Sequence, residues 1–315
     1  MTVNPSQTVA NPCFPRAVFL DVLSLGSVDL SPLQQWCELQ LWPSTAANQR
    51  LGRLHDAEIA ITNKIPLDGA LLQQLPKLRM ICVAATGTDQ IDHAACEELG
   101  IRVRNAGRFS SASVVQITWA LILELCCSMD QRRRDLLAGC WQRSPVFSLI
   151  EPEFDELEGQ TLVVLGAGAI GRGVLAIGAA FGMECLALTS RSGHAELEAA
   201  LRQADVLSIH APLTPQTQNL INAQRLSWMK PTARLVNMAR GGLVNLDDLC
   251  AALRQGQLAG AALDVLSLEP PGPELLALLD TPRLLISPHM AWSSRQARNR
   301  LVHTLAGHVQ AYGTG

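Results

Sequence analysis

The segment "TLVVLGAGAIG" at residues 161–171 constrains this chain more than any other. A short apolar run, Leu162 to Leu165, leads into Gly166, Gly168 and Gly171. GxGxxG spacing between a strand and a helix is the fingerprint of a dinucleotide-binding turn. Gly166 permits the tight turn, Gly168 lets backbone amides approach a pyrophosphate, and Gly171 lets the following helix pack close to the strand. That helix reads "GRGVLAIGAAFG", ends near Gly182, and points its positive N-terminal end at the phosphates. The motif lies halfway along 315 residues, so another unit has to be built before it.

A chain of this length has room for two domains, each with its own core. Net charge is 25 − 28 = −3, and the one basic block, Arg132, Arg133 and Arg134, reads as a solvated helix face rather than a nucleic-acid site. Nine cysteines form no CxxC pair and no zinc-spaced cluster with histidine, so no metal is expected. Their number is odd, and the N-terminus is polar and proline-containing rather than a secretory leader. Reduced, buried cysteines and a cytoplasmic location follow as expectations. Arg172 divides the apolar stretch 161–190 into two pieces, each too short to span a membrane.

Strand and helix patterns alternate, the signature of parallel sheets. Strands are predicted at 16–23, 57–64, 79 onward and 101–107. A helix opens at Ser31-Pro32 with serine as its cap, and another, "GALLQQLPKL", is broken by Pro76. One long helix is predicted over 111–139, ending near Gly139. Strands at 184–190, 205–212, 233–240, 260–266 and 284–289 then follow the glycine-turn strand, making six, the number of a doubly wound dinucleotide domain. The last helix, from Ser293, returns to the first domain. The expected fold is α/β, with two Rossmann-like domains of doubly wound parallel sheet and a cleft between them. The first, flavodoxin-like, spans 1–106 plus 293–315 and takes substrate; the second spans 107–292 and takes the dinucleotide.

Such folds place an acid about 20 residues past the glycines to grip the adenosine ribose. Here that strand end reads Leu188-Thr189-Ser190-Arg191-Ser192-Gly193, and the nearest downstream acid is Glu196. Hydroxyls with a guanidinium suit a 2′-phosphate, which a carboxylate would repel. The pattern predicts NADP over NAD, with Ser190 and Arg191 as contacts. In the alternative, Arg191 only stacks on the adenine and both cofactors bind.

Three further segments end predicted strands: "NMARGG" at 237–242, "DVLSLEPP" at 264–271 and "SPHMAW" at 287–292. They supply Arg240, Glu269 and His289. Hydride transfer to a 2-keto acid needs such a set. Arginine holds and polarises the acid through paired hydrogen bonds, imidazolium gives a proton to the carbonyl oxygen, and a carboxylate keeps the imidazole charged and oriented. Taken singly, His289 reads as a structural residue after proline, Arg240 as a helix-start residue and Glu269 as a loop acid. Their shared place at strand ends is hard to explain blandly.

The stretches "ATGTDQID", "SVVQITWALILEL", "GAGAIGRG", "HAPLTPQTQNLI", "NMARGGLVNLDDL", "ALDVLSLEPP" and "SPHMAW" resemble the D-isomer-specific 2-hydroxyacid dehydrogenase family. The closest likeness is to its glycerate dehydrogenase, hydroxypyruvate reductase and glyoxylate reductase branch. The resemblance covers most of the chain from residue 80 onward. It implies a reductase of small 2-keto acids with Arg240, Glu269 and His289 as the catalytic set. Thr86 and Gly87 fit the turn that binds the substrate carboxylate, alongside Arg240 and His289. Gly166, Gly168, Ala169, Ile170, Gly171, Ser190, Arg191, His210, Ala211, Pro212, Thr217, Met238, Ala239 and Asp264 fit the cofactor contacts. Among these, Asp264 matches the acid that holds the nicotinamide carboxamide, and Ala211-Pro212 with Thr217 the loop beneath the cofactor.

The chain departs from that pattern where the second-strand acid is absent and where Met238 replaces a smaller or β-branched residue. The resemblance further implies a homodimer formed through the cofactor domain, without nucleic-acid or membrane partners. Trp141 then belongs to the interface core or reaches the partner's site. Alternatives within the fold are enzymes acting on phosphoglycerate, formate or phosphite; long phosphoglycerate enzymes carry a regulatory domain for which no room is expected after residue 315. A dinucleotide-sensing corepressor is the alternative from another class. Side-chain specificity is assigned to loops around 50–55, 86–88 and 292–295.

Overall fold

The computed structural model describes residues 14–313; the N-terminal stretch read above as no leader lies outside them. The chain divides into two compact units. One holds residues up to Ser110 together with those from Ser293, and the other is Ser111–Trp292.

The first unit begins with β1 (Arg16–Phe19), α1 (Ser31–Gln34), β2 (Glu38–Leu41), α2 (Arg50–Leu54) and β3 (Ile59–Thr62). It continues through α3 (Gly69–Leu72), β4 (Met80–Val83), α4 (His93–Glu98) and β5 (Arg102–Asn105). Its strands are all parallel, in the order β2-β1-β3-β4-β5. Every residue of β3 and β4 is buried, because helices cover both faces of a parallel sheet.

Three local expectations need correction here. The strand expected over 16–23 ends at Phe19, and Val22–Leu25 form a 3₁₀ turn. Asp21 leaves the sheet to accept the Asn63 and Lys64 amides at 2.8 and 2.7 Å. Ser31 is not a cap but the first helical residue, and its own amide and hydroxyl both donate to Asp29 at 2.9 Å. Strand β2 was not anticipated, since an edge strand with no fully buried residue carries little apolar pattern.

The second unit opens with α5 (Ser111–Cys127) and α6 (Met129–Leu137). The single helix predicted over 111–139 is therefore two, bent by 55° at Ser128, whose φ of +50° lies in the left-handed region. Arg132 is also not simply solvated. Its guanidinium donates to Cys127 O at 3.1 Å and Pro152 O at 2.6 Å, folding the following segment back. Then come β6 (Thr161–Leu165), α7 (Ala169–Ala180), β7 (Glu184–Leu188), α8 (His194–Gln203), β8 (Val206–Ile209), α9 (Ala223–Leu226) and β9 (Arg234–Asn237). α10 (Leu246–Arg254), β10 (Gly260–Leu263), α11 (Leu275–Leu279) and β11 (Leu284–Ile286) complete it.

These six parallel strands run β11-β10-β9-β8-β6-β7. Successive strands proceed outward from β6 in opposite directions, so the strand order reverses between β6 and β8. Ligands of open α/β sheets bind at such a switch point. Alternation sends Val163, Leu165, Leu207 and Leu235 into one core with α8 and α10. Leu162, Val164, Val206 and Val236 enter the other, with α5 and α7. In that second layer Trp119 stacks on Phe181 at 5.1 Å and donates its indole N–H to Val174 O at 3.2 Å. Burying one such large apolar side chain contributes about 1.5–3 kcal/mol, so the sheet is held from both faces.

Last comes α12 (Arg295–Gly313), which belongs to the first unit, where Arg298 donates to Leu25 O and Ser27 O at 2.9 Å. Among the described residues no single helix is long and apolar enough to cross a membrane, eight cysteines are free, and no His, Cys, Asp and Glu group could hold a metal.

Candidate active site

The glycine turn joins β6 to α7, and each glycine has its own reason to be there. Gly166 has φ +101°, and a Cβ on it would lie 2.6 Å from Ala211 N. A Cβ on Gly171 would lie 2.1 Å from Gly166 O, so α7 sits as close to the strand as a backbone allows. Gly168 differs. It is the N-cap of α7 with no side-chain cap, and a Cβ there would meet nothing within 4 Å. The space above the helix N-terminus is open, with free amides and the positive dipole end beneath it, which fits a pyrophosphate. Ala169 and Ile170 form the first residues of α7.

The end of β7 is tied to this turn, because Gly166 N donates to Leu188 O at 2.8 Å. Beyond it Thr189 N donates to Ser192 Oγ and Arg191 N to Thr189 Oγ1, both at 3.2 Å. That bonding uses Thr189 and Ser192 and leaves Ser190 and Arg191 exposed. After β8, Thr217 Oγ1 donates to Pro212 O at 2.8 Å and accepts Thr214 N at 2.7 Å, so it shapes the 211–217 loop. His210 Nε2 lies 2.8 Å from Ser208 Oγ, and burial pushes its imidazole down to about 4. Met238 is buried in the α5/α7 layer.

Arg240 ends a turn that Asn237 builds. Asn237 is 1% exposed; its Nδ2 donates to Arg240 O at 2.9 Å and its Oδ1 accepts Ala239 N at 3.1 Å. Gly241 then lets this turn press against the loop after β10, where a Cβ would lie 2.1 Å from Leu266 C. That loop carries Glu269, whose Oε1 accepts Leu266 N at 2.8 Å and whose Oε2 lies 2.5 Å from His289 Nδ1. Both carboxylate oxygens are thus fixed, and the imidazole is left with Nε2 to present. The pair is 28% and 30% exposed in its side chains, half-buried yet reachable.

His289 has φ +50°, uncommon outside glycine. Asp264, 3% exposed at the end of β10, holds it there. Its carboxylate accepts Ser287 Oγ at 2.5 Å, Met290 N at 3.0 Å and Ala291 N at 3.1 Å, clamping the turn on both sides of His289. Burial holds this carboxyl above the usual carboxylate range, against the opposing pull of those three donors. Sequence reasoning named Asp264 only as a cofactor contact and missed both this clamp and Asn237. An Asx residue at the end of a strand or just past it, before an irregular turn, was the available signal.

Glu269, His289 and Asp264 therefore meet in the second unit, and the Arg240 turn abuts the Glu269 loop. Thr86 and Gly87 lie in the first unit at the end of β4. There Thr86 Oγ1 donates to Gly107 O and Asn105 Nδ2 to Thr86 O, both at 2.7 Å.

A doubly wound sheet with this glycine turn and an imidazole–carboxylate pair at its strand ends defines a nicotinamide-dinucleotide oxidoreductase. The chain belongs to the D-isomer specific 2-hydroxyacid dehydrogenase family, whose NAD binding domain matches residues 119–291. It is 38% identical to glycerate dehydrogenase of Methylorubrum extorquens, over 84% of this chain and 85% of that protein. It is 35% identical to glyoxylate reductase of Aeropyrum pernix, over 95% of this chain and 92% of that one. Among solved structures it is similar to D-lactate dehydrogenase from Aquifex aeolicus, complexed with NAD and lactic acid. The TM-score there is 0.83 at 27% identity, covering 95% and 96% of the two chains. The three names differ in the acid they carry, so family membership defines the reaction class and not the substrate.

Proposed function

We propose that this chain reduces a small 2-keto acid, hydroxypyruvate to D-glycerate or glyoxylate to glycolate, with NADPH as preferred donor. The observation that carries the reading is the 2.5 Å contact between His289 Nδ1 and Glu269 Oε2. With Nδ1 engaged, His289 offers the proton on Nε2 to the carbonyl oxygen of the substrate. Glu269 pairs with Nδ1 and fixes the plane of the ring. Arg240 pairs with the carboxylate and carbonyl of the keto acid, and the Thr86–Gly87 amides hold the carboxylate. A nicotinamide dinucleotide held there would supply the hydride that the carbonyl carbon needs. Gly166, Gly168, Ala169, Ile170 and Gly171 would hold its pyrophosphate, with Asp264, Met238 and Ala239 near the nicotinamide.

The NADPH preference rests on Arg191. Its guanidinium makes no ion pair among the described residues, and the sequence between Glu184 and Glu196 holds no acid. Arg191→Ala is expected to lower kcat/KM with NADPH about tenfold or more and leave NADH nearly unchanged, the loss of one charge-assisted contact. Initial rates with both reduced cofactors against glyoxylate, hydroxypyruvate, pyruvate and phenylpyruvate test the whole reading. A clear NADH preference overturns the cofactor assignment, and pyruvate or phenylpyruvate outpacing both glyoxylate and hydroxypyruvate overturns the substrate.

The chain works in this reading as a cytoplasmic homodimer. Leu137, Trp141, Phe147 and Ile150 are 72%, 53%, 90% and 68% exposed, a cluster of apolar side chains that a second copy would cover. Trp141 donates its indole N–H to Phe147 O at 2.8 Å, which shapes this segment from within. Sedimentation of the intact chain distinguishes dimer from monomer.

A further inference from the structure

The turn that carries Thr86 and Gly87 is held by a residue with no part in the reaction described above. Asn105 is the last residue of β5, level with Val83 of β4. Its Nδ2 donates to Thr86 O, and Thr86 Oγ1 donates to Gly107 O, both at 2.7 Å. Ala106 N donates to Ala85 O at 3.0 Å, so the two segments stay joined beyond the sheet. Asn105 is braced in its turn. Its Oδ1 accepts Gly107 N at 3.3 Å, and its carbonyl oxygen lies 2.9 Å from His308 Nε2 of α12.

These bonds sort the polar groups of the turn. The Thr86 hydroxyl has one hydrogen, and Gly107 O takes it, so that hydroxyl is spent as a donor. The Gly87 amide has no acceptor among the described residues, and Gly87 is only half-buried. Thr86 O and Gly87 N belong to one planar trans peptide, in which C=O and N–H point in opposite directions. By engaging the carbonyl, Asn105 therefore aims the amide away from itself. Without that hold, a peptide next to glycine is free to turn over. An oxygen would then stand where the N–H stood, and an anion would meet a repelling acceptor in place of a donor.

Thr86 and Asn105 are both exposed, and a hydrogen bond between exposed groups adds little to stability. Its consequence here is direction.

We propose that Asn105 is a positioning residue for the substrate carboxylate, locking the Thr86–Gly87 peptide so that the Gly87 N–H faces the anion. This rests on the reading of that turn as the carboxylate site and is independent of the NADPH assignment.

Asn105→Asp tests it, with Asn105→Ala beside it. Aspartate keeps the size and the Gly107 bond but sets an oxygen against Thr86 O, which favours the turned-over peptide. KM for glyoxylate and hydroxypyruvate should rise about tenfold or more in Asn105→Asp and less in Asn105→Ala. The kcat should stay within about threefold and the Kd for NADPH within about twofold. A KM within about twofold of wild type in both variants overturns the proposal. So does a loss spread over KM, kcat, cofactor affinity and unfolding midpoint together, the mark of a merely structural residue.

Nitrogen-15 amide spectra of the NADPH-bound chain, titrated with the unreduced keto-acid analogue oxamate, separate this from failure of the site itself. A Gly87 resonance that moves in the wild type and moves less in Asn105→Asp supports the proposal. If it stays still in the wild type, the carboxylate binds elsewhere and both readings fall. If it moves equally in both, the turn remains the site and Asn105 does not aim it. Should the variants not fold, the wild type decides through the Asn105 side-chain amide. An anion on Gly87 N–H polarises the peptide and strengthens the bond at Thr86 O, so the two resonances should move together. A stationary Asn105 beside a moving Gly87 refutes the proposal.

Discussion

His289→Ala is expected to lower kcat for keto-acid reduction by about 10²–10⁴-fold, the usual span for a positioned general acid. The Kd for NADPH, measured on the free chain, should stay within about twofold, since His289 takes no part in the proposed pyrophosphate and ribose contacts. The size of the effect follows from how much of the local fold is given over to this one ring. Glu269 engages Nδ1 at 2.5 Å and is itself held by the Leu266 amide at 2.8 Å, so the carboxylate cannot swing away. Asp264 clamps Met290 and Ala291 immediately beyond, and Ser287 immediately before, which keeps His289 at its left-handed φ of +50°. Alanine leaves that frame intact and removes only the proton carrier. Glu269→Gln should produce a smaller loss, because the Leu266 bond survives while the charge paired with Nδ1 does not. Turnover near the wild-type rate in His289→Ala would end the assignment of the proton donor.

How far this molecule was legible in its residues depends on the reach of the interactions involved. The glycine turn could be read because its spacing is a local pattern: Gly171 is required by atoms of the same strand–turn–helix unit, although Gly166 is required by His210 and Ala211 at the end of β8. The parallel sheets could be read because both faces of each central strand are buried, giving unbroken apolar runs such as that of β6. Arg240, Glu269 and His289 could be read because each stands just past such a run. The break at Ser128 could not. No glycine or proline marks it, and Arg132 reaching back to Cys127 O and forward to Pro152 O ties side chain to backbone, which leaves no trace in the apolar period. Ser31 failed as a cap for a local reason, since Asp29 two residues earlier competes for its amide and hydroxyl. Asp264 was noticed and misunderstood. Its partners are backbone amides and a hydroxyl more than twenty positions away, and only the fold brings them to it.

Gly241→Ala should cost more activity than its chemistry suggests, about 10²-fold in kcat/KM, because it displaces two functional loops at once. A methyl on Gly241 would sit 2.1 Å from Leu266 C and 2.3 Å from Ser267 N, both backbone atoms that cannot rotate away. Either the Arg240 turn or the Leu266–Ser267 segment must move. Asn237 resists the first movement through its bonds to Arg240 O and Ala239 N. The second movement drags the Leu266 amide off Glu269 Oε1 and, through Glu269, disturbs His289. The loss should therefore appear in both KM, through Arg240, and kcat, through His289. The unfolding midpoint should fall as well, because the strain has no flexible side chain to absorb it. Gly307→Ala in α12 is the matched control: a Cβ there meets nothing within 4 Å, so the midpoint should rise slightly with kinetics unchanged. If Gly241→Ala loses stability yet keeps wild-type kcat and KM, the two loops are not mechanically coupled. Arg240 and the Glu269–His289 pair would then have to be positioned independently of each other.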